Sequence, residues 1–108
     1  MDILLFVSNN RTMMVLVSYD VSTVDKKGKN RLRKVAKICE DYGQRVQHSV
    51  FECQVDPGLW VVFKNRLLKI INKDKDSLRF YYLGKNWRHR VEHIGAKAEV
   101  DLEEPLIL

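Results

Sequence analysis

The sequence predicts an α+β domain: a small sheet with two helices on one face. Three observations carry this. The chain has 108 residues, which allows one domain. Its composition, 45% hydrophobic and 31% charged, is that of an ordinary globular protein. Its apolar periodicity runs strand, helix, strand region, helix, strand, then shorter strands.

Residues 1–12 read as an N-terminal extension, closed by the polar, turn-rich Ser8-Asn9-Asn10-Arg11-Thr12. The first strand follows over Met14–Val21. The run is nearly continuous and rich in β-branched residues, as in a central strand covered on both faces. Ser22–Asn30 is a polar loop. A helix is expected from about Lys29 to Tyr42, with Leu32, Val35, Ala36, Cys39 and Tyr42 in one stripe. Gly43 sits where a left-handed C-terminal cap belongs. Gln44–Val55 contains no Asn-Gly or Asp-Gly turn and reads by itself as one long strand. Asp56-Pro57 is an N-cap with proline at the first helical position. It opens a second helix to about Ile71, with Leu59, Phe63, Leu67, Ile70 and Ile71 on one side. Asn72–Ser77 is a charged turn. Leu78–Leu83 is a strand ended by Gly84, and Arg90–Ile94 a further short one. Two helices cover one sheet face, so the first strand's other face calls for a second subunit.

Charge narrows the function. The chain carries 19 Lys and Arg against 14 Asp and Glu, a net +5. Four acids and no base lie beyond Ala98, so residues 1–97 carry a net +9. A basic body of this size points to a polyanion, with nucleic acid ahead of membrane. Lys26, Lys27, Lys29, Arg31, Arg33, Lys34 and Lys37 stand without an intervening acid. They form a phosphate track or a solvated face, and the absence of acids favours the track. No run approaches the roughly 18 apolar residues of a membrane span, and no targeting segment is expected. Cys39 and Cys53 form no C-x-x-C pair and read as buried hydrophobes in a reducing compartment.

Asp20 is the most informative single residue. A carboxylate ending an apolar strand can offer oxygen to Mg²⁺, which binds through one or two carboxylates and keeps several waters. It can equally cap the following turn, and spacing alone favours the cap. His89-Arg90-Val91-Glu92-His93 matches H-x-x-E-H. That zinc chemistry needs a helix and a third ligand, whereas this segment is strand-like, so the zinc reading is rejected. Trp87, Arg88 and Arg90 could stack on bases but more commonly pack on their own domain. No phosphate-binding glycine loop and no serine elbow is present.

Taken together these pieces resemble the CRISPR-associated Cas2 family. The resemblance rests on Val15-Leu16-Val17-Ser18-Tyr19-Asp20-Val21, on Arg31-Leu32-Arg33-Lys34-Val35-Ala36-Lys37, and on Gly43-Gln44-Arg45-Val46-Gln47-His48-Ser49-Val50-Phe51-Glu52. It implies a ferredoxin-like β-α-β-β-α-β fold over residues 13–95. Gln44–Gln47 and Val50–Val55 then become a hairpin turning at His48-Ser49. It also implies a homodimer formed through the sheets. A C-terminal strand, Val91–Ile94 or Leu106–Leu108, would cross to the partner, and the acidic tail 96–108 would contact it.

The function so implied is CRISPR adaptation in antiviral defence, in the cytoplasm. It takes the form of a Mg²⁺-dependent endonuclease acting on single-stranded RNA or double-stranded DNA. Asp20 would hold the metal and, with Tyr19, be catalytic. Arg31, Arg33, Lys34, Arg45 and Phe51 would contact nucleic acid. The partner would be the CRISPR integrase, Cas1. The alternative implied by the family is a non-catalytic dimeric DNA scaffold for that integrase. An unrelated RNA-binding ferredoxin-like module would show an aromatic RNP motif on its sheet. None is found, although Phe80-Tyr81-Tyr82 offers aromatics.

Overall fold

The computed structural model describes residues 12–83 and 91–96. The extension 1–11, the segment 84–90 with Trp87, Arg88, His89 and Arg90, and the tail from residue 97 lie outside the described residues.

The elements are β1 (Met13–Asp20), α1 (Lys26–Tyr42), β2 (Gly43–Gln47), β3 (Val50–Val55), α2 (Pro57–Ile70), β4 (Ser77–Leu83) and β5 (Val91–Gly95). They form one antiparallel sheet ordered β2-β3-β1-β4-β5. This is the ferredoxin-like β-α-β-β-α-β arrangement with an added edge strand. β1 is central, as its apolar run requires.

The long strand read over Gln44–Val55 is two strands of a hairpin. The turn at His48-Ser49 is held from outside itself. The Arg45 guanidinium donates to the His48 carbonyl, and the Tyr19 N–H donates to the Ser49 carbonyl at 3.1 Å. Among the described residues only Gly95 has positive φ, so the turn needs no left-handed residue. That is why it carries no Asn-Gly signal.

Helix α1 starts three residues before the expected Lys29. Asp25 caps it, accepting from the Gly28 N–H at 2.8 Å. Gly43 is not a left-handed cap. Its φ of −160° is extended, and it opens β2. Glycine is required there for close approach: a Cβ would strike the Glu52 carbonyl oxygen and lie 2.5 Å from Cys53 Sγ.

Helix α2 begins as expected, with Asp56 accepting from the Leu59 N–H at 2.7 Å and Pro57 in the first turn. Its buried face is Trp60, Phe63 and Leu67, while Leu59 is exposed. Trp60 displaces Leu59 because its ring packs edge-on to Phe80, 4.9 Å between centroids. Its Nε1 also donates to Tyr82 Oη at 3.2 Å, satisfying the indole N–H.

The core lies between sheet and helices. Val15, Val17 and Tyr19 enter it from β1, Phe51, Cys53 and Val55 from β3, Leu78 and Phe80 from β4, and Val35, Ile38 and Cys39 from α1. On the other sheet face Leu16 stands opposite Tyr81 in register, and both are buried. Both thiols are free and buried. Burial pushes the Cys53 thiol up to about 12 and raises that of Cys39 further. Among the described residues no helix is long and apolar enough to cross a membrane.

Candidate nucleic-acid site at the end of the central strand

Side chains alternate along a strand, so Tyr19 and Asp20 leave β1 on opposite faces. Tyr19 turns toward the helices and is buried, whereas Asp20 is exposed at the strand end. Both border two hollows. On the helix side is a cleft of about 590 Å³, walled by Leu32 and Ala36 of α1, Arg45 of β2, and His48 and Ser49 of the hairpin turn. On the open sheet face is a smaller hollow of about 270 Å³, formed with Ser18, Ser77 and Arg79. Its walls follow from register, since Ser18 pairs with Arg79 and Asp20 with Ser77.

Four of the residues expected at the site come together here: Asp20, Tyr19, Arg45 and Phe51. Phe51 is fully buried, so nucleic acid cannot reach it. It stacks on Tyr19 at 6.2 Å and carries the Arg45 guanidinium 4.9 Å above its ring. Arg45 also lies 3.6 Å from Glu40. Burial pushes the Tyr19 hydroxyl above its usual value, and the Arg45 cation opposes that shift.

The basic helix divides. Arg33 and Lys34 are exposed, and Arg33 donates to Asn30 Oδ1 at 2.9 Å. Arg31 turns away from solvent to Asp76, whose side chain is fully buried. Asp76 accepts from Arg31 Nε at 2.8 Å and Nη2 at 3.2 Å, and from the N–H groups of Ser22 and Asn72. Burial alone would raise the Asp76 pKa, but these four donors outweigh it and hold the carboxyl below the usual range. Arg31 therefore anchors the loop after β1 rather than presenting a phosphate ligand.

Sequence reasoning missed Asp76, His48, Thr23 and Arg79. Asp76 looked like one more acid in a charged turn. By local pattern His48 is only a turn residue and Thr23 only part of a loop. Arg79 reaches the hollow through the β1–β4 register, which no local pattern encodes.

Among the described residues there is no cluster of three or more His, Cys, Asp or Glu. A closed zinc site does not fit such a donor set. A hard cation bound by one carboxylate and mostly water does fit a residue such as Asp20, exposed at the strand end. Glu92 and His93 of the H-x-x-E-H match lie on a strand.

A family model described as CRISPR associated protein Cas2 matches residues 13–91. A relative from Nitratidesulfovibrio vulgaris, named CRISPR-associated endoribonuclease Cas2, is 63% identical over 92% of this chain and 97% of its own length. One from Halalkalibacterium halodurans, named CRISPR-associated endonuclease Cas2, is 57% identical over 88% of this chain and 99% of its own. The crystal structure of Streptococcus pyogenes Cas2 at pH 6.5 superposes with a TM-score of 0.63 at 62% identity. That match covers 74% of this chain and 96% of the other.

Proposed function

The chain belongs to the CRISPR-associated Cas2 family, and on that premise we propose that it is a metal-dependent endonuclease of CRISPR adaptation. The observation that carries the reading is Asp20: an exposed carboxylate at the end of the central strand, bordering two hollows. The relatives' names, endoribonuclease and endonuclease, support the same class. Asp20 would hold the metal, and a second copy of the chain would add its own Asp20. Bound Mg²⁺ supplies Lewis acidity and lowers the pKa of water. The chain's own residues hold the strand ends. Tyr19 and Phe51 form the packed support, Arg45 pins the hairpin turn at the cleft mouth, and Arg33 and Lys34 attract the phosphate backbone.

Asp20→Asn removes one of the carboxylate oxygens while keeping shape. Loss of Mg²⁺-dependent cleavage of single-stranded RNA or duplex DNA is the expected result, and full retained cleavage overturns the reading.

A second reading is a non-catalytic dimeric DNA scaffold that partners the integrase. It is favoured by the exposed bases along α1, Lys26, Lys27, Lys29, Arg33, Lys34 and Lys37, and by the single carboxylate. Under it, Asp20→Asn leaves spacer acquisition intact, while charge reversal at Arg33 and Lys34 abolishes it.

A further inference from the structure

We propose that Asp76 and Arg31 are positioning residues for the Asp20 carboxylate: together they fasten the chain just beyond it, so that it meets a divalent cation in one orientation. The proposal rests on the nuclease reading for what Asp20 does, but not for how the chain beside it is held.

Tyrosines aside, Asp76 and Ser77 are the buried polar or charged residues among the described ones. They are consecutive, and both serve the end of β1. Ser77 pairs with Asp20 across the β1–β4 ladder and lines the smaller hollow with it. Asp76 Oδ1 accepts from the Ser22 N–H at 3.0 Å. Between these two fastenings Val21 is buried in the core. The chain is thus held at Asp20 and again at Ser22.

Asp76 is itself fixed. Its N–H donates to the Asn72 carbonyl at 2.7 Å, and its carbonyl accepts from the Ala96 N–H at 3.0 Å. Arg31 Nε and Nη2 grip its two carboxylate oxygens at 2.8 and 3.2 Å.

Stability alone does not account for this pair. Apolar side chains of the same volume often match or surpass a buried ion pair. They cannot hold a backbone N–H in one direction. Nor can Asp76 touch a substrate, since its side chain is fully buried. What its carboxylate can do is act through Ser22 on Asp20. Hydrogen bonds behind a metal-binding side chain orient it, and losing one typically costs about 10- to 100-fold in metal affinity or activity.

The test compares Asp76→Ala, Arg31→Ala and their double variant with the unmodified protein, at a temperature where each is folded. Leu67→Ala, a core truncation in α2, loses stability without touching the Ser22 contact. Mg²⁺-dependent cleavage gives kcat and KM. Binding of Mn²⁺, a stand-in hard cation, is followed by electron paramagnetic resonance without substrate, and amide exchange is followed at Ser22. For Asp76→Ala and Arg31→Ala, kcat and Mn²⁺ affinity are expected to fall about 10- to 100-fold. KM should change little, and Ser22 exchange should quicken. The double variant should be no worse than either single, because the two residues act as a unit. Leu67→Ala should keep both kcat and Mn²⁺ affinity. If Asp76→Ala does not fold, Arg31→Lys, which keeps the charge but gives up the two-point grip, carries the same expectation.

Full turnover and full Mn²⁺ affinity in folded Asp76→Ala overturn the proposal. So does a loss confined to KM, which would make Arg31 a phosphate contact, or a loss shared by Leu67→Ala. An unmodified protein that neither binds Mn²⁺ nor cleaves sinks the nuclease reading. The fastening of the strand end is then decided by exchange at Ser22, where an unchanged rate in Arg31→Ala overturns it.

Discussion

Arg31 and Asp76, 45 positions apart, form a two-point ion pair, with Nε to Oδ2 at 2.8 Å and Nη2 to Oδ1 at 3.2 Å. Asp76 also accepts from Ser22 N–H, so one buried carboxylate ties α1, the loop after β1 and the start of β4 together. Removing one partner of a buried pair strands a charge and costs about 3–5 kcal/mol. Arg31→Ala and Asp76→Ala are therefore expected to lower unfolding free energy by that order in urea titrations. The Arg31→Ala, Asp76→Ala double variant should cost less than the sum of the two. Strict additivity would show that the pair is uncoupled.

The same carboxyl sets an acid limb of stability. Its folded pKa lies below the ordinary 3.8. It thus contributes stability fully above that value and loses it as pH falls through the folded pKa. Asp25, held low mainly by the Gly28 N–H, shifts in the same direction at the surface. The stability gap between the unmodified protein and Asp76→Asn should be largest near neutrality and should narrow below about pH 3.8. A gap constant down to acid unfolding would contradict the assignment.

Phosphate binding by α1 has a salt signature. Each lost phosphate contact lowers the slope of log K against log salt by about 0.9 on duplex and 0.7 on single strands. Arg33→Ala and Lys34→Ala should each reduce the slope with little effect on melting. Arg31→Ala should chiefly lower melting, since its guanidinium is spent on Asp76.

Gly43→Ala tests close packing at the start of β2. The new Cβ meets Glu52 backbone and the Cys53 thiol, so β2 must move away from β3. Overpacking of this kind costs typically about 1–3 kcal/mol. Amide exchange should speed up in the hairpin first, and an unchanged hairpin would contradict the close approach at Gly43.

The thiols should be inert in the native state. Cys39 and Cys53 are fully buried, and burial raises both pKa values, so little thiolate exists to react. Thiol reagents at about pH 8 should label them only after denaturation.

Local chemistry was legible in the sequence. The β1 run, the α1 stripe, the Asp56-Pro57 start of α2 and the buried cysteines all follow from periodicity and capping, which act over a few residues. The hairpin was not legible from composition. Its turn is held by Arg45 and Tyr19 rather than by a left-handed dipeptide, and only the family motif indicated it. The exchange of Leu59 for Trp60 was likewise decided by Phe80 and Tyr82, 20 and 22 residues beyond Trp60.

The sequence by itself thus determined the two helices, the central strand, the basic body and the carboxylate at the end of β1. Only the tertiary structure decided which bases remain available. Arg31 and Arg33 are two residues apart and look alike in a string. A helix turns them to different sides, and a distant buried Asp76 claims one and leaves the other in solvent.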